Sequence, residues 1–211
     1  MKLYEICTRV KEGGGVGCLI SGGSLRDGSV PLRPFIPVIK RVKEELGLKI
    51  LVHTGIPHDE TIKALADTGI DGVLLDVIGS DDTIREVYNL NRKVEDLDRA
   101  LTLLEEHGIP VILHIVVGLH YGILKGERKA MEIVSKHSVA ALVIVVLMPL
   151  PGTDMEKVNP PHPITVARLI ATARLIKEDT PLLLGCARPG GIHRIVLDAL
   201  SIRAGVNGIA Y

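Results

Sequence analysis

Short apolar runs alternate with amphipathic stretches along the whole chain, and this alternation most constrains the fold. The runs begin at Val16, Lys49, Gly72, Val111, Ala140, Leu182 and Asn207. Each but the last is followed by apolar residues at helical spacing. In 34–46, for example, Phe35, Val38, Ile39, Val42 and Leu46 form one stripe that stops at Gly47. Parallel strands need helical crossovers and, when covered on both faces, read as continuous apolar runs. The expected fold is therefore α/β, a (β/α) TIM-type barrel with about seven parallel strands. A doubly wound open sheet is the alternative, but no Gly-x-Gly-x-x-Gly follows an early strand. A complete barrel has eight strands, whereas this chain opens on a helical stretch, 2–11. The first βα unit is expected to be missing, leaving 1–211 as a single incomplete barrel domain with an open seam. Open edges invite pairing between chains, so self-association is expected there.

The remaining helices are expected over 59–67 (with Asp59 as cap), 82–87, 94–107, 125–137, 164–177 and 192–204. Strands are expected to extend over 72–77, 111–119, 140–148, 182–187 and 207–211. The Pro-rich loop 149–163 is too long for a bare connection, which points to a functional loop.

Composition narrows the function classes. The 211 residues are enough for one core, and 46% of them are hydrophobic, so the chain is globular. Lys+Arg and Asp+Glu balance at 25 each, leaving no basic excess to neutralise phosphates, so no nucleic-acid partner is expected. The longest apolar run, 139–150, falls short of the about 20 residues a bilayer span needs, so no membrane partner is expected either. No basic-then-apolar leader opens the sequence. Cys7, Cys18 and Cys186 lie far apart, giving neither a disulfide framework nor a zinc ribbon, and a reducing cytoplasm fits. The absence of glutamine, with abundant Lys, Glu and Arg, leans towards a thermophile.

In such barrels the C-terminal ends of the strands build the site. The first strand runs into Ser21-Gly22-Gly23, where the lack of Cβ atoms lets a ligand approach the backbone, or which simply forms a tight turn. His53 ends the second strand and His114 lies within the fourth. Each suits binding of metal, a substrate carboxylate or a proton, or is a hydrogen-bonded histidine at the rim. Asp76 ends an apolar strand, where it suits a ribose diol or a rim salt bridge. Gly118 and His120 end the fourth strand, and Met148 and Pro149 the fifth. Arg188, before Pro-Gly-Gly, suits an anion or carboxylate clamp, or an ion pair. Cys7 and Cys18 are read as packing residues and Cys186 as the cysteine nearest a site. The loop Tyr88-Asn89-Leu90-Asn91 is placed to reach over the barrel mouth.

With these landmarks in order, the chain resembles the radical S-adenosylmethionine superfamily, and within it the biotin synthase-like branch. Leu19-Ile20-Ser21-Gly22-Gly23 resembles the motif that holds the methionine amino group of S-adenosylmethionine. Thr68-Gly69-Ile70-Asp71 leads to Asp76, which matches a ribose-binding position. Ile115-Val116-Val117-Gly118-Leu119 resembles the strand lining the adenine. Met148-Pro149 through Gly152-Thr153, the strand ending at Arg188, and the closing 204–209 segment follow in the family's order. The resemblance implies cofactor binding by Ser21, Gly22, Gly23, Asp76, Val116, Gly118, Met148 and Pro149. It leaves His53, His114 and Arg188 on the substrate side. The implied activity is generation of a 5′-deoxyadenosyl radical that abstracts hydrogen from a small-molecule substrate, with sulfur insertion among the outcomes.

Two departures qualify this. The Cys-x3-Cys-x2-Cys motif that ligates the family's [4Fe-4S] cluster is absent, as is the βα unit that would carry it. The chain is accordingly expected to be a fragment, to have a start codon placed too late, or to come from a degenerate gene, and as it stands not to be catalytically competent. The positions of biotin synthase's auxiliary-cluster cysteines hold Leu19, Leu51 and Ile112, none of which can ligate iron. Two other readings stay open. One is a non-radical (β/α) barrel lyase or phosphate-binding enzyme using His53, His114 and Asp76. The other is a non-catalytic S-adenosylmethionine-binding protein.

Overall fold

The computed structural model describes residues 2–210. Its strands are β1 (Gly17–Ile20), β2 (Lys49–His53), β3 (Gly72–Asp76), β4 (Val111–Val117), β5 (Ala141–Val146), β6 (Leu182–Leu184) and β7 (Gly208–Ile209). Its helices are α1 (Lys2–Glu12), α2 (Ile36–Leu46), α3 (Asp59–Ala66), α4 (Asp81–Glu86), α5 (Val94–Glu106), α6 (Glu127–Lys136), α7 (Pro163–Ile176) and α8 (Gly191–Arg203). The seven strands form one sheet in chain order, with β1 and β7 as the ends of that order. Sequential parallel order with intervening helices is the pattern of a (β/α) barrel wall that is one strand short. The fold class expected from the sequence is therefore the one observed. Among the described residues, no helix is long and apolar enough to cross a membrane.

The chain divides into two compact units, residues 1–75 with 95–112 and residues 76–94 with 113–211. In the first, β1 pairs with β2 from Gly17 opposite Lys49, and β2 with β3 from Leu51 opposite Gly72. Strand alternation then sorts the side chains. Ile50 and Val52 of β2, with Val73 and Leu75 of β3, are buried, as are Ile39, Val42, Ile62 and Leu65 of the helices. Leu51, His53 and Leu74 share the opposite, half-buried face. Asp71 ties the base of this unit together. Its carboxylate accepts from Lys43 Nζ at 2.5 Å, Lys49 Nζ at 2.9 Å and the Ile50 N–H at 2.7 Å.

The second unit repeats the sorting. Leu113, Ile115 and Val117 of β4 are buried, whereas His114 and Val116 are half-buried. Leu142, Ile144 and Leu184 of the strands and Val166, Ile170 and Leu197 of α7 and α8 are buried. β5 pairs with β6 from Leu142 opposite Leu182, and β6 with β7 from Leu183 opposite Gly208.

Some boundaries differ from expectation. Asp59 does not cap α3: the N-cap position is His58, with no side-chain cap bond. Asp59 instead pairs with Arg99 at 2.6 Å. The helix expected over 34–46 is a 3-10 turn (Arg33–Phe35) leading into α2, because the prolines at 34 and 37 remove N–H donors from its first turn. The helix expected from 125 starts at Glu127, after Gly126 at φ 110°. The fifth strand ends before Met148 and the sixth before Gly185. The last strand is confined to Gly208–Ile209, and its expected end, Tyr211, lies outside the described residues.

Candidate functional site

At the strand ends of the first unit, Ser21, Gly22 and Gly23 are exposed, and a Cβ built on Gly23 would meet open space. The loop after them folds back on the chain following β2. Val30 N donates to Thr54 O at 2.9 Å, Ile56 N to Gly28 O at 2.9 Å, and Ser29 bridges Gly55. Gly55 makes this approach possible: at φ +59°, a Cβ there would stand 2.2 Å from Gly28 O. Asp27 fixes the loop further. Its Oδ1 accepts from the N–H and hydroxyl of Ser29 at 2.9 and 2.7 Å, and its Oδ2 lies 2.8 Å from His58 Nε2. The Ser29 bonds, then the histidine, hold its carboxyl well below the usual carboxylate range. This Asp27–Ser29–His58 cluster was not anticipated, because its three residues are scattered in sequence and meet only through the loop. His53 is half-buried at the end of β2.

In the second unit, Asp76 is half-buried at the end of β3, and Tyr88 Oη approaches it at 3.5 Å. Burial, then the Asp76 charge, pushes the Tyr88 phenol far up, so it stays a neutral donor. The loop expected to reach over a mouth thus has Tyr88 turned to Asp76 and Leu90 buried, with Asn89 in the left-handed region at φ 53°. On β4, His114 and Val116 share the half-buried face. Gly118 follows at φ +79°, and a Cβ there would lie 2.3 Å from Pro161 Cγ.

Glu127, the first residue of α6, supports this turn and was missed in the sequence, where it reads as an ordinary surface acid. It is 6% exposed, its Oε1 accepts from Gly118 N–H at 2.8 Å, and its Oε2 is buried with no hydrogen-bond partner among the described residues. It borders a cavity of about 10 Å³ also lined by Val77, Gly79, Thr83 and Val116. Burial pushes its carboxyl up, while amide hydrogen bonds from Gly118, its own N–H and Lys125 pull it down. His120, next to it in the turn, contacts Thr83 Oγ1 at 3.3 Å.

Met148 is exposed and Pro149 half-buried, after β5. Of the two readings the sequence left open for Arg188, a carboxylate clamp or an ion pair, the structure holds the ion pair. Arg188 is 2% exposed, with Nε and Nη2 on Asp198 at 2.7 and 3.1 Å and Nη1 on the carbonyls of Gly185 and Ala210, both at 2.8 Å. The guanidinium therefore braces the end of β6 against α8 and the chain after β7.

The three cysteines do not assemble a cluster site. Cys7 and Cys18 are neighbours in the first unit, and Cys186 is exposed in the second. Among the described residues, no three His, Cys, Asp or Glu side chains gather to hold a metal. An iron–sulfur cluster is anchored through several thiolates, and the residues present do not fit one.

A family model for the radical SAM superfamily matches residues 2–134. Over 210 residues the chain is 26% identical to biotin synthase of Prochlorococcus marinus (strain MIT 9515), covering 97% of this chain and 60% of that protein. Its fold is similar to that of methylornithine synthase, with TM-score 0.73 and 19% identity, covering 98% of this chain and 60% of that one. It is also similar to HMG-CoA lyase from Brucella melitensis, with TM-score 0.66 and 14% identity, covering 100% and 73%. At such identities the structural likenesses speak for the fold alone.

Proposed function

Because the chain belongs to the radical SAM superfamily, we propose that it is the core of a biotin synthase-like radical enzyme, a core that binds S-adenosylmethionine and positions a small substrate. The observation that carries this reading is the family match over residues 2–134, which contains Ser21, Gly22, Gly23, His53, Asp76, His114, Val116 and Gly118. Their surroundings suit such a ligand. Ser21–Gly23 is open backbone, which accepts the amino-acid end. Asp76 is a carboxylate that accepts from ribose hydroxyls. Val116 offers a half-buried apolar side chain to the base, beside the turn that Gly118 forms. Met148 and Pro149 extend that lining. His53 and His114 remain substrate-side residues, and Arg188 shapes the rim from within.

When bound, S-adenosylmethionine supplies a carbon centre that abstracts hydrogen once an electron is delivered to it. The described residues offer no thiolate set for the cluster that delivers the electron, so the chain itself binds the cofactor and leaves it intact. The sulfur-inserting or other outcome depends on that electron.

Isothermal titration calorimetry with S-adenosylmethionine tests this. Micromolar binding, weakened tenfold or more by Asp76→Ala in a variant that melts like the parent, supports the reading. Absence of heat at millimolar ligand overturns it and favours the non-radical barrel-lyase reading. Chromatography of the ligand afterwards distinguishes binding alone from turnover.

A further inference from the structure

Two thiols meet in the first unit. Cys7 on α1 and Cys18 on β1 are 11 positions apart, and their sulfurs stand 3.9 Å from each other. Cys7 is 2% exposed and Cys18 is half-buried, and both are free thiols. The backbone holds them at this separation. Between α1 and β1 the chain turns through Gly13, Gly14 and Gly15, whose amides donate to Arg9, Lys11 and Val10 at 2.9, 3.0 and 2.8 Å. A Cβ at Gly15 would stand 2.5 Å from Val10 Cγ1, so the turn is wound closely against the helix end. A disulfide needs the sulfurs to close by about 2 Å, from contact to bond length.

We propose that Cys7 and Cys18 form a redox-modifiable dithiol that closes to a disulfide by exchange with a small-molecule disulfide such as oxidised glutathione. The bond tethers α1 to the strand that runs into Ser21–Gly23. This inference does not rest on the cofactor reading.

The exchange balances in two displacements. The more accessible Cys18 thiolate attacks one sulfur of the oxidant. The oxidant's S–S bond breaks, a mixed disulfide forms on Cys18, and one glutathione thiolate leaves and takes up a proton from solvent. The Cys7 sulfur then loses its proton to solvent and attacks Cys18 Sγ. The mixed disulfide breaks, the protein disulfide forms, and the second glutathione leaves and is protonated. The two protein thiols lose two electrons, and one glutathione disulfide becomes two glutathiones. Burial, then the neighbouring Cys7, pushes the Cys18 thiol up to about 11. The attacking thiolate is thus scarce at neutral pH and the exchange slow, which sets a long incubation.

The test uses the chain with Cys186→Ser, which removes the exposed thiol and leaves the pair intact. After overnight incubation in a glutathione redox buffer, acid quench and alkylation, intact mass and tryptic mapping are read. The expected product lacks both thiols, is lighter by about 2 Da for the two hydrogens lost, and links peptide 3–9 to peptide 12–26. Dithiothreitol restores two alkylatable cysteines. In the folded Cys7→Ser variant the exchange stops at a glutathione adduct on Cys18, enriched at least tenfold over the parent. A persistent adduct on Cys18 in the parent with Cys7 still alkylatable overturns the proposal. So do two alkylatable thiols under a poise that oxidises the urea-unfolded chain.

Discussion

The carboxylate of Glu127 accepts the backbone N–H of Gly118 at 2.8 Å, so the first residue of α6 holds the turn that ends β4. A helix start and a strand end are locked by one bond, at the position where the family resemblance expects the cofactor's base. Gly118 adopts φ +79° in that turn.

Replacing Gly118 with alanine places a Cβ in the left-handed region and 2.3 Å from Pro161 Cγ. The expected cost is about 2–4 kcal/mol, from backbone strain and a proline that must move. Urea denaturation of parent and variant reads it as a lower midpoint with an unchanged slope.

Glu127→Gln keeps an acceptor for Gly118 N–H and removes a buried charge. Burial raises the folded carboxyl above its unfolded value, so the folded state binds the proton more tightly. The contribution is then fully present below the unfolded value of about 4.5 and is lost as pH rises through the folded one. The parent should lose stability over that window, and the glutamine variant should show a flatter profile and equal or greater stability at pH 7. Thermal melts across pH 4–8 check both.

Asp71 titrates with the opposite sign. Burial opposes its charge, but the bonds from Lys43, Ile50 N–H and Lys49 hold it at about 2. Its stabilisation, about 2 kcal/mol, is present above the unfolded value near 3.9 and lost as pH falls through the folded one. Asp71→Asn should lose that stabilisation at pH 7 and differ least from the parent near pH 2. Chemical denaturation at the two pH values separates this from a general packing defect.

Arg188 and Asp198 form a bidentate pair with the guanidinium buried. Asp198→Asn leaves that charge without its counter-ion and should cost about 3–5 kcal/mol. If Arg188 instead faced solvent as an anion clamp, the same change would cost under about 1 kcal/mol. A denaturation curve decides between the two.

Much of the fold is written locally. The apolar runs at 49–53 and 72–77, and the stripe of Val38, Ile39, Val42 and Leu46, place β2, β3 and α2 to within one or two residues. Runs of this kind alternating with amphipathic helices leave parallel order as the economical pairing. Element ends were less legible, because glycines such as Gly126 and Gly185 stop regular geometry without changing the apolar pattern. The strand-end residues Ser21–Gly23, His53, Asp76 and Gly118 could be collected from alternation alone.

The sequence by itself determined the strand and helix order, the count of seven strands and the parallel (β/α) pattern, since each follows from periodicity and spacing. Only the tertiary structure decided that Arg188 is an internal brace, that Glu127 is a buried support and that Cys7 touches Cys18. Those facts depend on which side chains meet across loops and neighbouring elements. Periodicity tells which face a residue occupies, and nothing in it tells what stands opposite.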